Sequence, residues 1–126
     1  MISLVIDAAS DKIFFSIIKD DKSYTTNHLN SRENFDKIII LLNNFLTDQE
    51  VILSQIKKIY INIGPGKFSS LRTSISIAKS FALTNNIQLV GFTTADLENR
   101  NDYKYLVELD KKDKLTKDLI NPLYSS

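Results

Sequence analysis

The spacing of apolar positions along the chain changes once, near residue 30, and changes back near residue 57. Ser3-Leu4-Val5-Ile6-Asp7 is a short apolar run. Lys12 to Ile18 is a second, in which Phe14, Phe15, Ile17 and Ile18 make both faces apolar. Ala8-Ala9-Ser10-Asp11 forms the turn between them, and a third run extends from Ser23 to Leu29 after Asp20-Asp21-Lys22. Three such runs joined by short turns predict an antiparallel meander. The period then lengthens. Asn30 or Ser31 can cap a helix with Glu33 in its first turn, and Phe35, Ile38, Ile39, Leu42, Phe45 and Leu46 follow at helical spacing. Ile40 and Leu41 widen that stripe beyond one face. A helix apolar on two sides wants two partners: the sheet, and then either a neighbouring helix or another protein.

Lys57 to Ile63 reads as a fourth strand and Ser69 to Thr84 as a second helix. Leu71, Ile75, Ala78 and Ala82 make one row of that helix, and Ile77 and Phe81 another. Ser70, Ser74 and Ala78 are small enough for another helix to approach closely. Asn85-Asn86 ends the helix, and Ile87 to Phe92 is a fifth strand. The order βββαβαβ predicts a meander followed by helical crossovers into parallel strands. Beyond Thr94, Asp96 to Lys104 is polar and helix-tolerant, and Tyr105 to Leu109 suggests one more strand. The run KKDKLTKD, ending at Asp118, reads as solvated surface, and the closing NPLYSS as a frayed end.

Composition narrows the function classes. A chain of 126 residues, 43% apolar and 25% charged, fits one soluble globular domain with a real core. A net charge of +1 supplies no overall field for nucleic acid or an anionic membrane. No cysteine is present, which excludes a disulfide framework and thiolate metal sites. The opening MISLVIDAASDKIFF has no basic leader and breaks at Asp7, so it does not read as a signal peptide. No apolar run approaches the ~20 residues of a membrane span, and a cytoplasmic location is expected.

The residues that invite a chemical reading cluster at Gly64-Pro65-Gly66, where two of the chain's three glycines separate a strand from a helix. Glycine admits positive φ, and free N–H groups at a helix start can hold an anion. The turn is neither G-x-x-x-x-G-K-[ST] nor G-x-G-x-x-G, because Lys67 follows Gly66 directly. A structural corner and an anion cradle both stand as readings of it. Asp7, at the end of the first strand, could serve as a ligand carboxylate or cap its turn. Asp7 and Asp11 are too few for a hard-cation site, and His28, the lone histidine, offers neither a metal cluster nor a triad. Arg72 and Lys79 stand seven positions apart, on one helix face, where they could hold an anion or a partner's carboxylate, or simply face solvent.

The segment GPGKFSSLRTSISIAKSFA resembles the G-P-G-S-F-T-G-[LV]-R-I-G-[LI]-S-x-A-K-G-L-A motif of the TsaB family, also called YeaZ, through Gly64, Pro65, Gly66, Phe68, Leu71, Arg72, Ser76, Ala78, Lys79 and Ala82. LVIDAAS is similar to the family's opening L-x-I-D-T-[AS], VGFTT to its V-G-V-S-T, and YLVELDKKDK faintly to the V-x-x-D-A-R strand of its second domain. Lys67, Ser69 and Ser70 depart from the motif, and Asn30-Ser31 stands where the family commonly has a histidine. The resemblance implies an α/β, actin-like and ribonuclease-H-like domain with a mixed five-stranded sheet in the order 3-2-1-4-5. It implies residues 1–95 as the first domain and 96–126 as a partly flexible linker or remnant, with the second domain absent.

Functionally, the resemblance implies no catalysis, no cofactor and no metal. It implies a subunit supporting TsaD in tRNA threonylcarbamoyladenosine modification, touching tRNA only indirectly, with a TsaE-like ATPase in a larger complex. Pairing would use both long helices, through Phe35, Ile38, Leu41, Leu42, Phe45, Leu71, Arg72, Ser74, Ile75, Ala78 and Lys79. The corner of Asp7, Gly64, Pro65 and Gly66 then more naturally aims the second helix than closes over a phosphate. The alternatives are a nucleotide binder of the actin and sugar-kinase superfamily, built on Asp7 and the glycine turn, and a homodimeric scaffold.

Overall fold

Strands β1 (Ile2–Asp7), β2 (Lys12–Lys19) and β3 (Lys22–Leu29) form the expected meander. The computed structural model describes residues 1–100, 102–117 and 120–124. After two helical segments, β4 (Ile56–Asn62) returns parallel to β1, and β5 (Gln88–Phe92) lies parallel to β4. The sheet order is β3-β2-β1-β4-β5, as the family resemblance implies.

Strands β1, β2, β4 and β5 carry buried residues on both faces because both faces are covered, whereas the edge strand β3 is largely polar and exposed. Alternation along β1 sends Leu4 and Ile6 to one side and Val5 to the other. Leu4, Ile6, Phe15, Ile17, Ile59 and Ile61 meet the two long helices, and Phe15 stacks on Phe45 with ring centroids 6.2 Å apart. Val5, Ile18, Tyr60, Val90 and Phe92 meet Tyr103, Leu106, Leu109 and Leu115 on the opposite face. Each large side chain so buried contributes about 1.5–3 kcal/mol relative to its exposed state.

The first predicted helix is two. Ser31 accepts from the Asn34 N–H and caps α1 (Arg32–Asp36). The chain leaves helical geometry at Lys37 (φ −119°, ψ 27°), whose N–H turns back to Asn34 O, and restarts as α2 (Ile38–Asp48). No glycine or proline marks this break in the sequence. Helix α3 (Phe68–Asn85) lies over β4, β5 and β1 and ends at Asn86 in the left-handed region (φ 53°).

The tail departs from expectation in three places. Tyr105 to Leu109 is a helix, α4 (Tyr105–Lys111), not a strand. Leu106, Leu109 and Asp110 recur at helical spacing and face the sheet, and that burial outweighs the β-like look of YLVEL. Within the charge run, Leu115 is buried and Thr116 pairs with Gly91 at the β5 edge, while Asp118 lies outside the described residues. The closing segment is tied down as far as it is described: Leu123 N–H donates to Ile63 O at 2.6 Å, and Tyr124 stacks on Phe68 at 4.6 Å. Residues 125–126 of the expected frayed end lie outside the described residues.

Candidate partner interface

Helices α2 and α3 share the same sheet face but leave a groove between them. It encloses about 540 Å³ and runs from Phe35 and the start of α2 to Arg72, Ile77 and Phe81 on α3. Ile39 and Ile40, at its α2 edge, are 49% and 59% exposed, and Leu83 near the end of α3 is 86% exposed. Adjacent exposed isoleucines beside a half-buried phenylalanine make a contiguous apolar patch, the kind that marks an interaction surface. Lys37, Arg72 and Asp36 supply charge along the groove.

Of the expected interface residues, Ile38, Leu42, Phe45, Leu71, Ser74, Ile75 and Ala78 are buried in this chain's own core. A side chain sealed in its own core has no surface left for a partner, so these seven position the helices instead. Ser74 is fully buried, and its hydroxyl donates to Leu71 O instead of lying open to another helix. Phe35 and Leu41 are half-buried, and Arg72 and Lys79 are exposed on α3. Arg72 lies over the Phe68 ring, 5.7 Å from its centroid. The groove residues Ile39, Ile40 and Phe81 join the set. Their sequence signals were the helical stripe at Ile39, its widening at Ile40 and the second row of the other helix at Phe81, none of which separated open from buried positions.

The glycine corner is filled by the chain itself. Gly64 adopts φ +116° and donates its N–H to Asn62 Oδ1 at 2.8 Å. Gly66 N–H donates to Leu123 O at 3.2 Å, and a Cβ on Gly66 would stand 2.7 Å from Ala9 O. The two glycine N–H groups of the turn are spent on internal bonds, and glycine is demanded by close approach of β1's following turn and of the tail. The Gly64–Pro65 peptide is cis.

Asp7 lies beside this corner, 6% exposed. Its Oδ2 accepts from Tyr103 OH at 2.7 Å, and its Oδ1 from Asn62 Nδ2 at 3.0 Å and from Ala9 N–H at 3.3 Å. The last bond caps the turn after β1. Burial pushes the carboxyl above its ordinary range, against the pull of Tyr103, Ala9 and Asn62. The Tyr103 phenol is pushed upward by burial and by Asp7. Tyr103 and Asn62 carried no sequence signal, because they meet Asp7 across 96 and 55 residues of chain.

A second buried carboxylate fastens α4. Asp110 pairs with Lys58 Nζ at 2.6 Å and Lys117 Nζ at 3.1 Å, and accepts from Tyr60 OH at 2.9 Å. Burial raises its carboxyl, but Lys58, Tyr60 and Lys117 outweigh that and hold it below the ordinary carboxylate value. Among the described residues no group of three or more histidine, aspartate or glutamate side chains could hold a metal ion, and no helix is long and apolar enough to cross a membrane.

The five-stranded mixed sheet, the α3 corner and the two faces of helices define an actin-like, ribonuclease-H-like domain. YeaZ from Pseudomonas aeruginosa superposes with a TM-score of 0.73 over 82% of this chain and 48% of that one, at 16% identity. A family model described as TsaD, tRNA N6-adenosine threonylcarbamoyltransferase, matches residues 26–98. The tRNA threonylcarbamoyladenosine biosynthesis protein TsaB of Buchnera aphidicola subsp. Schizaphis graminum is 28% identical over 96 residues, covering 76% of this chain and 46% of that protein. The protein of the same description from Escherichia coli is 28% identical over 91 residues, covering 72% and 39%. The chain belongs to the TsaB/YeaZ family, within the wider group that the TsaD model describes. It spans less than half the length of these curated relatives.

Proposed function

We propose that this chain is a non-catalytic cytoplasmic subunit that supports a TsaD-like protein in tRNA threonylcarbamoyladenosine modification at A37. It pairs with that protein through the exposed side of α2 and α3, and a TsaE-like ATPase joins the pair in a larger complex. The names of the relatives support the pathway. The single observation that supports the pairing surface is the apolar groove with Ile39 and Ile40 open at its edge. The chain contacts tRNA only through its partner, in keeping with a net charge of +1.

The test is co-expression with the TsaD-like protein of the same cell, followed by mass measurement in solution and assay of tRNA modification. A one-to-one complex that modifies tRNA, where neither protein does so alone, supports the proposal. Absence of a complex removes it, and a mass of two identical chains would instead favour the scaffold reading. The nucleotide-binding reading draws no support from the corner, because Gly64 and Gly66 donate inward.

A further inference from the structure

A cleft of about 370 Å³ opens at the carboxyl end of β1, on the α4 side of the sheet and away from the helix groove. Asp7 and Tyr103 form its floor, Phe14 and Leu97 give apolar walls, and Thr94 and Arg100 stand near its rim. Crevices at the carboxyl ends of parallel strands are where open α/β sheets bind ligands. The groups here are complementary in charge. A carboxylate offers about four lone-pair sites, and Asp7 uses three on Tyr103, Asn62 and Ala9. One site remains for a donor entering the cleft. Thr94 Oγ1 accepts from Asn62 Nδ2 at 3.1 Å, which leaves its own proton free to donate. Arg100 is held by its guanidinium over the Tyr105 ring at 4.1 Å, and its ion pair with Glu98 is long, at 3.9 Å.

We propose that this cleft binds a free α-amino acid with a small or aromatic side chain. The ammonium meets Asp7, the carboxylate meets the guanidinium of Arg100, and the side chain rests against Phe14 and Leu97. A planar carboxylate suits a guanidinium through paired hydrogen bonds. A phosphate ligand is poorly served, because the nearby backbone donors of Gly64 and Gly66 are already bound. The proposal is independent of the partner reading, since it uses the opposite face of the sheet.

Calorimetric titration of the full chain with alanine, serine and phenylalanine tests it, beside the matching amines and carboxylic acids. The amino acids should bind, and each single-ended analogue should bind roughly tenfold more weakly or worse, the worth of one charge-assisted hydrogen bond. Arg100→Met, at an exposed position, should leave the melting temperature unchanged and erase the preference for amino acid over amine. Asp7→Asn should erase the preference over the carboxylic acid. The proposal is overturned by any of three results: no binding of any amino acid up to about 10 mM, equal binding of the analogues, or unchanged preference in Arg100→Met. Binding of ATP in the same cleft, displaced by none of the amino acids, would overturn it as well.

Discussion

Asp110 draws Lys58, Tyr60 and Lys117 into the seam between β4 and α4, while Asp7 is enclosed with donors but no cation. The two carboxyls are therefore shifted in opposite directions from the ordinary carboxylate value. Asp110 is held below its unfolded value, so its stabilisation is complete above that value, about 3.9, and is lost as pH falls through the lower folded value. Asp7 is raised, so its contribution is complete below about 3.9 and is lost as pH rises through the higher folded value. Thermal melts across pH should show Asp7→Asn flattening the loss on the rising side and leaving the acid side intact. An unchanged profile in that variant would contradict the assignment. Asp110→Asn leaves Lys58 facing a neutral group in the seam, and should lower stability by roughly 3 kcal/mol in urea unfolding at neutral pH. A loss below ~0.5 kcal/mol would mean that the pair is solvated and that α4 is held by its leucines alone.

Helix α2 has a core side and an open side, and the two should respond differently to truncation. Leu42→Ala should cost about 2–5 kcal/mol, because Leu42 is 1% exposed among the strands and helices of the core. Ile40→Ala should change stability by no more than about 0.5 kcal/mol. Equal losses at both positions would show that the groove is closed in solution. At the corner, Gly66→Ala must push a methyl group against Ala9 O, and should destabilise the fold by about 1–3 kcal/mol through overpacking. Helix α3 was legible in the sequence to within a residue or so at each end, because Leu71, Ile75 and Ala78 repeat at its period and Asn86 stops it. The break at Lys37 was not legible, since its geometry comes from a local turn bond to Asn34 O in a run of helix-compatible residues. Helix α4 was misread because five residues alternate well enough for a strand, and only the sheet face beneath them decides.

At the scale of the molecule, the meander and both crossovers followed from period alone, and the sheet order from the family motif. What escaped sequence reading is long-range. Tyr103 closing on Asp7 and Leu123 closing on the glycine corner join residues far apart in the chain. The interface expectation failed to separate inward from outward positions for a related reason. On a helix that is apolar on more than one side, Leu42 and Ile40 look alike until the sheet is placed under one of them. With the sheet in place, the open side of α2 and α3 is the surface on which the proposed pairing with a TsaD-like partner rests. The most direct measurement is the affinity of that pairing for the wild-type chain and for Ile40→Asp, by calorimetry, with melting temperatures recorded alongside. The variant should melt with the wild type and bind roughly thirtyfold more weakly or not at all, since a charge is placed in an apolar contact. Undiminished binding by a folded Ile40→Asp chain would contradict the account.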